Sequence, residues 1–150
     1  MFRKASSVDL PAIIALLSDD PLGATREVAS ETIDQAYLDA FAAIEADSNQ
    51  LLVVAVDDCD GVIGCLQLSF IPGLSRKGMW RGQIESVRIA AGHRGDGLGA
   101  AMIKWAVGQA RNRGCGLVQL TSDKRRPDAI RFYEKLGFVA SHEGLKLDLS

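Results

Sequence analysis

Apolar residues recur along this chain with two periods, and the switches between them mark its elements. Residues 2–5 read as a short edge strand. Ser7 is a fitting N-cap for a helix whose apolar face is Leu10, Ile13, Ile14 and Leu17, with Asp19, Asp20 and Pro21 as the stop. From about Ser30, the positions Ile33, Ala36, Tyr37, Ala40, Phe41 and Ile44 repeat at three and four residues and predict a second amphipathic helix ending near Asp47. The pattern then changes. LLVVAV (51–56), the turn DDCDG and VIGCLQLSFI (62–71) predict a hairpin, since a short Asp/Gly connection between β-branched runs is a turn signal.

The second half continues with a loop, PGLSRKGMWRG, and a third long strand, QIESVRIA (83–90). A glycine-rich segment opens a helix over about residues 98–113, with Arg111 and Arg113 at its negative end and Gly114 as the C′ residue. GLVQLT (116–121) is a continuous apolar run, which predicts a strand buried on both faces. Pro127 suits the first turn of a last helix carrying Ala129, Phe132, Tyr133 and Leu136 on one stripe, and Gly137 ends it. FVASHEGLKLDL closes the chain as a final strand. This order predicts an α/β (α+β) domain: a mixed, mostly antiparallel sheet flanked by helices, with one parallel βαβ crossover.

Composition narrows the classes. At 150 residues and 47% hydrophobic content the chain forms one domain, residues 1–150, with a substantial core. No apolar run reaches the roughly 18–20 residues of a membrane span, and MFRKASSVDL has no apolar signal-peptide region, so a soluble, cytoplasmic protein is expected. Cys59, Cys65 and Cys115 include no Cys-x-x-Cys pair, and His93 and His142 are far apart, so reduced thiols and no metal site are expected. The net charge of −2 hides an asymmetry. Residues 1–60 hold twelve acidic against three basic side chains, and residues 61–150 hold fourteen basic against seven acidic. Exposed helix faces account for such charge; a cationic substrate meeting the first half and an anionic cofactor the second is the sharper reading.

The segment HRGDGLGAAM (93–102) lies between a strand and a helix, where free N–H groups and the positive end of the helix dipole favour an anion, and glycines let phosphate oxygens approach the backbone. A Walker loop would need Gly-Lys-Ser/Thr where Gly99-Ala100-Ala101 stand. The dinucleotide pattern G-x-G-x-x-A matches Gly95, Gly97 and Ala100, but no acid ends the next strand and no βαβαβ series follows. An ordinary glycine turn without ligand also fits the motif alone.

Taken as Arg94-x-x-Gly97-x-Gly99, within IESVRIAAGHRGDGLGAAMIKWA (84–106) and followed by RFYEKLGF (131–138), the segment resembles the GNAT superfamily of N-acetyltransferases, whose element order also agrees along essentially the whole chain. The resemblance implies acetyl-CoA as acetyl donor. It places the pyrophosphate on the turn of Arg94, Gly95, Asp96, Gly97, Leu98, Gly99 and Ala100, and the pantetheine arm along the backbone of Val87, Arg88 and Ile89. It also implies Glu85 as the group that deprotonates the amine through water and Tyr133 as the acid that protonates the leaving thiolate.

Acetyl transfer to an amine needs those two proton movements. Glu85 lies in an otherwise apolar strand, where partial burial would strengthen it as a base; outward exposure or a pair with Arg88 is the alternative. Tyr133 belongs to an apolar stripe and is equally suited to the core. Cys65 and Cys115 lie in apolar strand patterns, so direct transfer is favoured over a thiol intermediate. Arg126 stands where many relatives carry an asparagine that contacts the cofactor. Lys124, Arg125 and Arg126 can reach cofactor phosphates, reach an acidic group of the substrate, or form a solvated basic loop. The acceptor is expected to be a small-molecule or peptide amine; nucleic acid and membrane are not expected partners, and a homodimer is left open. A non-catalytic acyl-CoA-binding module on the same fold is the rival reading.

Overall fold

The computed structural model describes residues 1–20, 22–27 and 32–150. Its elements run β1 (Phe2–Lys4), α1 (Leu10–Ser18), α2 (Gly23–Arg26), α3 (Gln35–Ala46), β2 (Gln50–Val56), β3 (Val62–Ile71), a single turn α4 (Ser75–Gly78), β4 (Arg81–Ile89), α5 (Leu98–Asn112), β5 (Leu117–Leu120) and α6 (Pro127–Lys135). The five strands form one sheet in chain order, antiparallel from β1 to β4 and parallel between β4 and β5. The mixed sheet with one crossover is thus the architecture that the pattern predicts.

Period-two alternation sorts the strand residues into two cores. Leu52, Val54, Val56 and Cys65 face α1 and α3, packing with Leu10, Ile13, Leu16 and Phe41. Val53, Ala55, Leu66, Leu68, Phe70 and Ile84 face the other way, against Met102, Ile103 and Ala106 of α5. The buried residues of α5 fall at helical spacing on one stripe. Its close seat on the sheet depends on Gly82, where a Cβ would stand 3.1 Å from that of Ala110. Arg113, at the far end of α5, lies over the Phe70 ring at 4.0 Å and bonds Ser48 and Asn49, which ties the helix to the α3–β2 loop.

Several boundaries differ from the predicted ones. A 3₁₀ turn at Ser7–Asp9 precedes α1, and the cap is Ser6, whose N–H and hydroxyl donate to Asp9. Asp9 is buried because Arg3 grips its carboxylate with two hydrogen bonds, at 2.7 and 3.0 Å. The second helix starts at Gln35, capped by Asp34, whose carboxylate accepts from Ala36 N–H; Pro21 and Ser30 lie outside the described residues. Gly114 and Gly137 follow their helices with φ of +80° and +96°, as C′ residues.

Two expectations fail near the end of the chain. The apolar run 116–121 is not buried on both faces: β5 is the edge strand, and all four of its residues are only half-buried. Residues 138–150 form no strand, and Leu145, Leu147 and Leu149 are 93%, 85% and 90% exposed. Both failures have one cause: among the described residues, β5 has no outer neighbour. Among the described residues, no helix is long and apolar enough to cross a membrane.

Candidate active site

The sheet opens at its centre. β4 and β5 pair only from Arg81↔Leu117 to Ile84↔Leu120, so Glu85 and the four residues after it have no strand partner on that side. The parting is built into β4. Its register with β3 shifts between Gln67↔Glu85 and Cys65↔Arg88, and Ser86 takes a φ of +55°, the geometry of a bulge, which bends a strand and increases its twist. The crevice therefore leaves one backbone edge of Val87, Arg88 and Ile89 without a strand partner, the stretch along which the family resemblance implies a pantetheine arm.

At the top of the crevice β4 passes through a 3₁₀ turn, Ala91–His93, into the glycine segment. Gly95 and Gly97 have φ of +87° and +81°, a region that side chains with a Cβ rarely enter, and nothing lies within 4 Å of where either Cβ would be. Gly97 caps α5, and the first bond of the helix runs from Ala101 N–H to Gly97 C=O, leaving the Leu98, Gly99 and Ala100 N–H groups without a helical acceptor. Arg94 steadies the turn: its Nε donates to Ile89 C=O at 3.1 Å, and Nη2 reaches Asp19 at the end of α1. Leu98 and Asp96 complete the turn, half-buried and exposed respectively.

Glu85 and Tyr133 flank the parting differently. Glu85 is exposed on β4, with Gln83 as its hydrogen-bond partner at 3.4 Å, so the expected partial burial is not found. Its alternative pairing with Arg88 is also absent, because Arg88 turns to Asp20. Tyr133 is half-buried on α6 between the rings of Phe132 and Phe138, at centroid distances of 5.0 and 5.7 Å. Burial pushes its phenol up from the ordinary 10.0, while the nearby charges of Arg88 and Arg126 pull the other way.

The feature that sequence reasoning missed is Asp20, which it took only as a helix stop. Its carboxylate accepts from Gly23 N–H and spans the crevice, lying 3.4 Å from Arg88 Nε on β4 and 3.1 Å from Arg126 Nη2 at the cap of α6. Burial opposes its ionisation, but the Gly23 N–H and the guanidiniums of Arg126 and Arg88 hold its carboxyl below the usual range. Arg88 is mostly buried; it donates to Val87 C=O, while its Nε makes the ionic contact without hydrogen-bond alignment. Asp123 is a second hub, taking Arg125 at 2.8 Å and Arg26 at 3.1 Å. Four guanidiniums thus share two carboxylates among the described residues, and Asp20, Leu22, Arg125 and Arg126 line a pocket there. Lys124 pairs instead with Glu143 in solvent. Cys65 is buried and its thiol is pushed up to about 12, a protonated and unreactive state that agrees with direct transfer. No group of three His, Cys, Asp or Glu that could hold a metal occurs among the described residues.

The parted β4–β5 pair thus forms an open crevice beneath the glycine turn, with the free N–H groups of the α5 start at its top and a phenol and an arginine cluster beside it. The family model of the acetyltransferase (GNAT) family matches residues 11–138, and the chain belongs to that family; it is an N-acetyltransferase. It is 30% identical over 141 residues to the aminoalkylphosphonate N-acetyltransferase of Salmonella typhimurium, covering 93% of this chain and 85% of the relative. It is 38% identical over 88 residues to the glucosamine 6-phosphate N-acetyltransferase of Trypanosoma brucei brucei, covering 59% and 58%. Among solved structures, a protein of Bacillus halodurans C-125 described as a transcriptional regulator superposes with a TM-score of 0.96 at 45% identity, over 99% of both chains.

Proposed function

We propose that the chain transfers an acetyl group from acetyl-CoA directly to the primary amine of a small molecule that also carries an acidic group. The observation that carries the reading is the parting of β4 from β5 beyond Ile84, directly below the open glycine turn. The donor suits this place: the turn from Arg94 to Ala100 holds its pyrophosphate, through the Leu98, Gly99 and Ala100 N–H groups that lack a helical acceptor and those of Gly95, Asp96 and Gly97, and the backbone of Val87, Arg88 and Ile89 pairs with its arm as a missing strand would. Acetyl-CoA supplies the activated acyl carbon and a thiolate leaving group. Glu85 takes a proton from the attacking amine through water as the C–N bond forms, and Tyr133 gives a proton to the sulfur as the C–S bond breaks.

The acidic group of the acceptor is supported by the surplus of guanidinium beside Tyr133, and by the two relatives named above, whose substrates combine an amine with a phosphonate or a phosphate. Arg126, expected on the cofactor, is better suited to this group, since it already lies against a carboxylate, that of Asp20. A cytoplasmic location belongs to the same reading, in keeping with three free thiols.

The test is a thiol-release assay with acetyl-CoA against aminoalkylphosphonates, amino-sugar phosphates, uncharged amines of equal length and lysine peptides, with calorimetric titration of acetyl-CoA alongside. Turnover is expected with the acid-bearing amines, and Arg126→Gln is expected to raise their KM roughly tenfold or more while leaving that of acetyl-CoA within about twofold. A rise in the acetyl-CoA KM instead would return Arg126 to the cofactor. Tight acetyl-CoA binding with no release from any amine would replace the enzyme with a sensor.

A further inference from the structure

The sheet face that carries Glu85 changes character along its strands. On β2 and β3 the residues facing α1 and α3 are Leu52, Val54, Val56 and Cys65, and they pack into the first core. Towards the start of β2 and β4 the same face turns polar. Gln50 of β2 stands opposite Ser69 of β3, Ser69 opposite Gln83 of β4, and Gln83 opposite Gln119 of β5, so four polar residues form an unbroken row across four strands. Gln67, opposite Glu85, lies beside that row. Alternation puts all of them on the Glu85 face, since their neighbours Leu51, Leu68, Ile84 and Val118 belong to the core on the α5 side.

Ser69 is buried and the four amides are half-buried, yet their hydrogen bonds use only part of what they offer. Gln67 Nε2 and Ser69 Oγ both donate to Gln50 Oε1, at 2.9 and 2.8 Å, and Gln119 Nε2 donates to Gln83 Oε1 at 2.7 Å. Gln83 Nε2 reaches Glu85 at 3.4 Å, long for a hydrogen bond. Gln50 Nε2, Gln67 Oε1 and Gln119 Oε1 have no protein partner among the described residues. A pleated surface favours β-branched and aromatic side chains, but four of the six glutamines of the chain are gathered here. The row is therefore a local exception, and it borders the proposed base.

We propose that Gln50, Gln67, Ser69, Gln83 and Gln119 bind hydroxyl groups of the acceptor, so that the amine of the acetyl transfer proposed above, on which this inference rests, is carried on a hydroxyl-rich body such as a sugar or another polyol. An amide side chain is neutral and offers both donors and an acceptor, which matches a hydroxyl group, itself donor and acceptor. A hydrocarbon body would leave the half-buried amides unsatisfied, and a charged one would call for a countercharge that the row lacks. The order along β4 fixes the pose: the amide row at Gln83, the base at Glu85, then Arg88 with Arg126. The amine thus lies between the hydroxylated body and the acidic group. The row spans three strand spacings, roughly 14 Å, so a body of one ring beside Glu85 meets Gln67, Gln83 and Gln119 and leaves Gln50 to hold Gln67 and Ser69 in place.

Two acceptors test this: an amino-sugar phosphate, and an aminoalkyl phosphate with the same span from amine to phosphate and no hydroxyl group, compared by thiol release from acetyl-CoA. The wild type is expected to favour the amino-sugar phosphate about tenfold or more in kcat/KM. Gln119→Leu and Gln67→Leu, one on each side of Glu85, remove hydrogen-bonding groups at half-buried strand positions. Each is expected to reduce that preference to about threefold or less, through a higher KM for the amino-sugar phosphate. Equal turnover of both acceptors by the wild type would overturn the hydroxyl-binding row while leaving the acid-bearing amine as the substrate. A preference that survives both substitutions, even with both activities lowered, would make the row structural and overturn it too. Release from neither acceptor would remove the acetyl-transfer reading, and the row's role with it.

Discussion

Tyr133 stands where the apolar stripe of α6 meets the parted strands, and that double membership decides its chemistry. The rings of Phe132 and Phe138 fix its plane, and burial keeps its proton on, so the phenol is a held donor throughout the neutral range. Tyr133→Phe keeps the ring packing and removes only the proton. The expected result is a fall in kcat of about a hundredfold or more with the acetyl-CoA KM nearly unchanged, read by steady-state thiol release. The pH profile gives a second reading. Because burial raises the phenol above 10.0, its loss of a proton lowers wild-type kcat only above pH 10, and that alkaline limb should be missing in Tyr133→Phe. An unchanged kcat would remove Tyr133 from the proton pathway. Glu85 teaches the opposite lesson: an acid among apolar strand residues suggested burial, but alternation places it outward, in contact with Gln83.

At the scale of elements, the turn between β4 and α5 is the part most legible from sequence. Glycines adopt positive φ at no steric cost, and Gly95 and Gly97 do so just before the apolar helical run, leaving a backbone open enough for an anion. Gly97→Val would force a β-branched residue to φ +81°, costing roughly 1–3 kcal/mol, and would put methyl groups in the space a phosphate needs. Acetyl-CoA affinity by calorimetry should weaken more than tenfold. Gly92→Ala, a neighbour with equally open surroundings and no positive φ, should bind as the wild type does. The helix boundaries were legible within a few residues from caps and C′ glycines. The bulge at Ser86 was not, because SVRIA reads as uninterrupted strand and only its register with β3 shows the extra residue.

Across the whole molecule, carboxylates tie the elements together, and this makes the fold sensitive to acid. Arg3 holds Asp9, the Gly23 N–H with Arg126 and Arg88 holds Asp20, and Arg125 holds Asp123, each below the ordinary 3.8. A depressed carboxyl stabilises the fold above its unfolded value, and that contribution is lost as pH falls through the folded one. Stability should therefore decline below about pH 4, and Asp9→Asn, which removes the charge under Arg3, should cost about 1–3 kcal/mol at pH 7 and less at pH 3 in chemical denaturation. Equal costs at both pH values would deny Asp9 its ionic role. The same arginines show where sequence reading stops. Periodicity, caps and glycine placement are local, carried by residues within a turn or two of each other, and they suffice for the long elements from β1 to α6, the mixed sheet and the glycine turn, though not for the strand expected after α6. The pairing of β4 with β5 as far as Ile84 and the meeting of Asp20 with Arg88 and Arg126 join residues from 36 to 106 positions apart, and the bare edge of β5 belongs to the finished sheet. No local pattern encodes such meetings, because they follow from how completed elements pack, and from which apolar surfaces remain uncovered once they have.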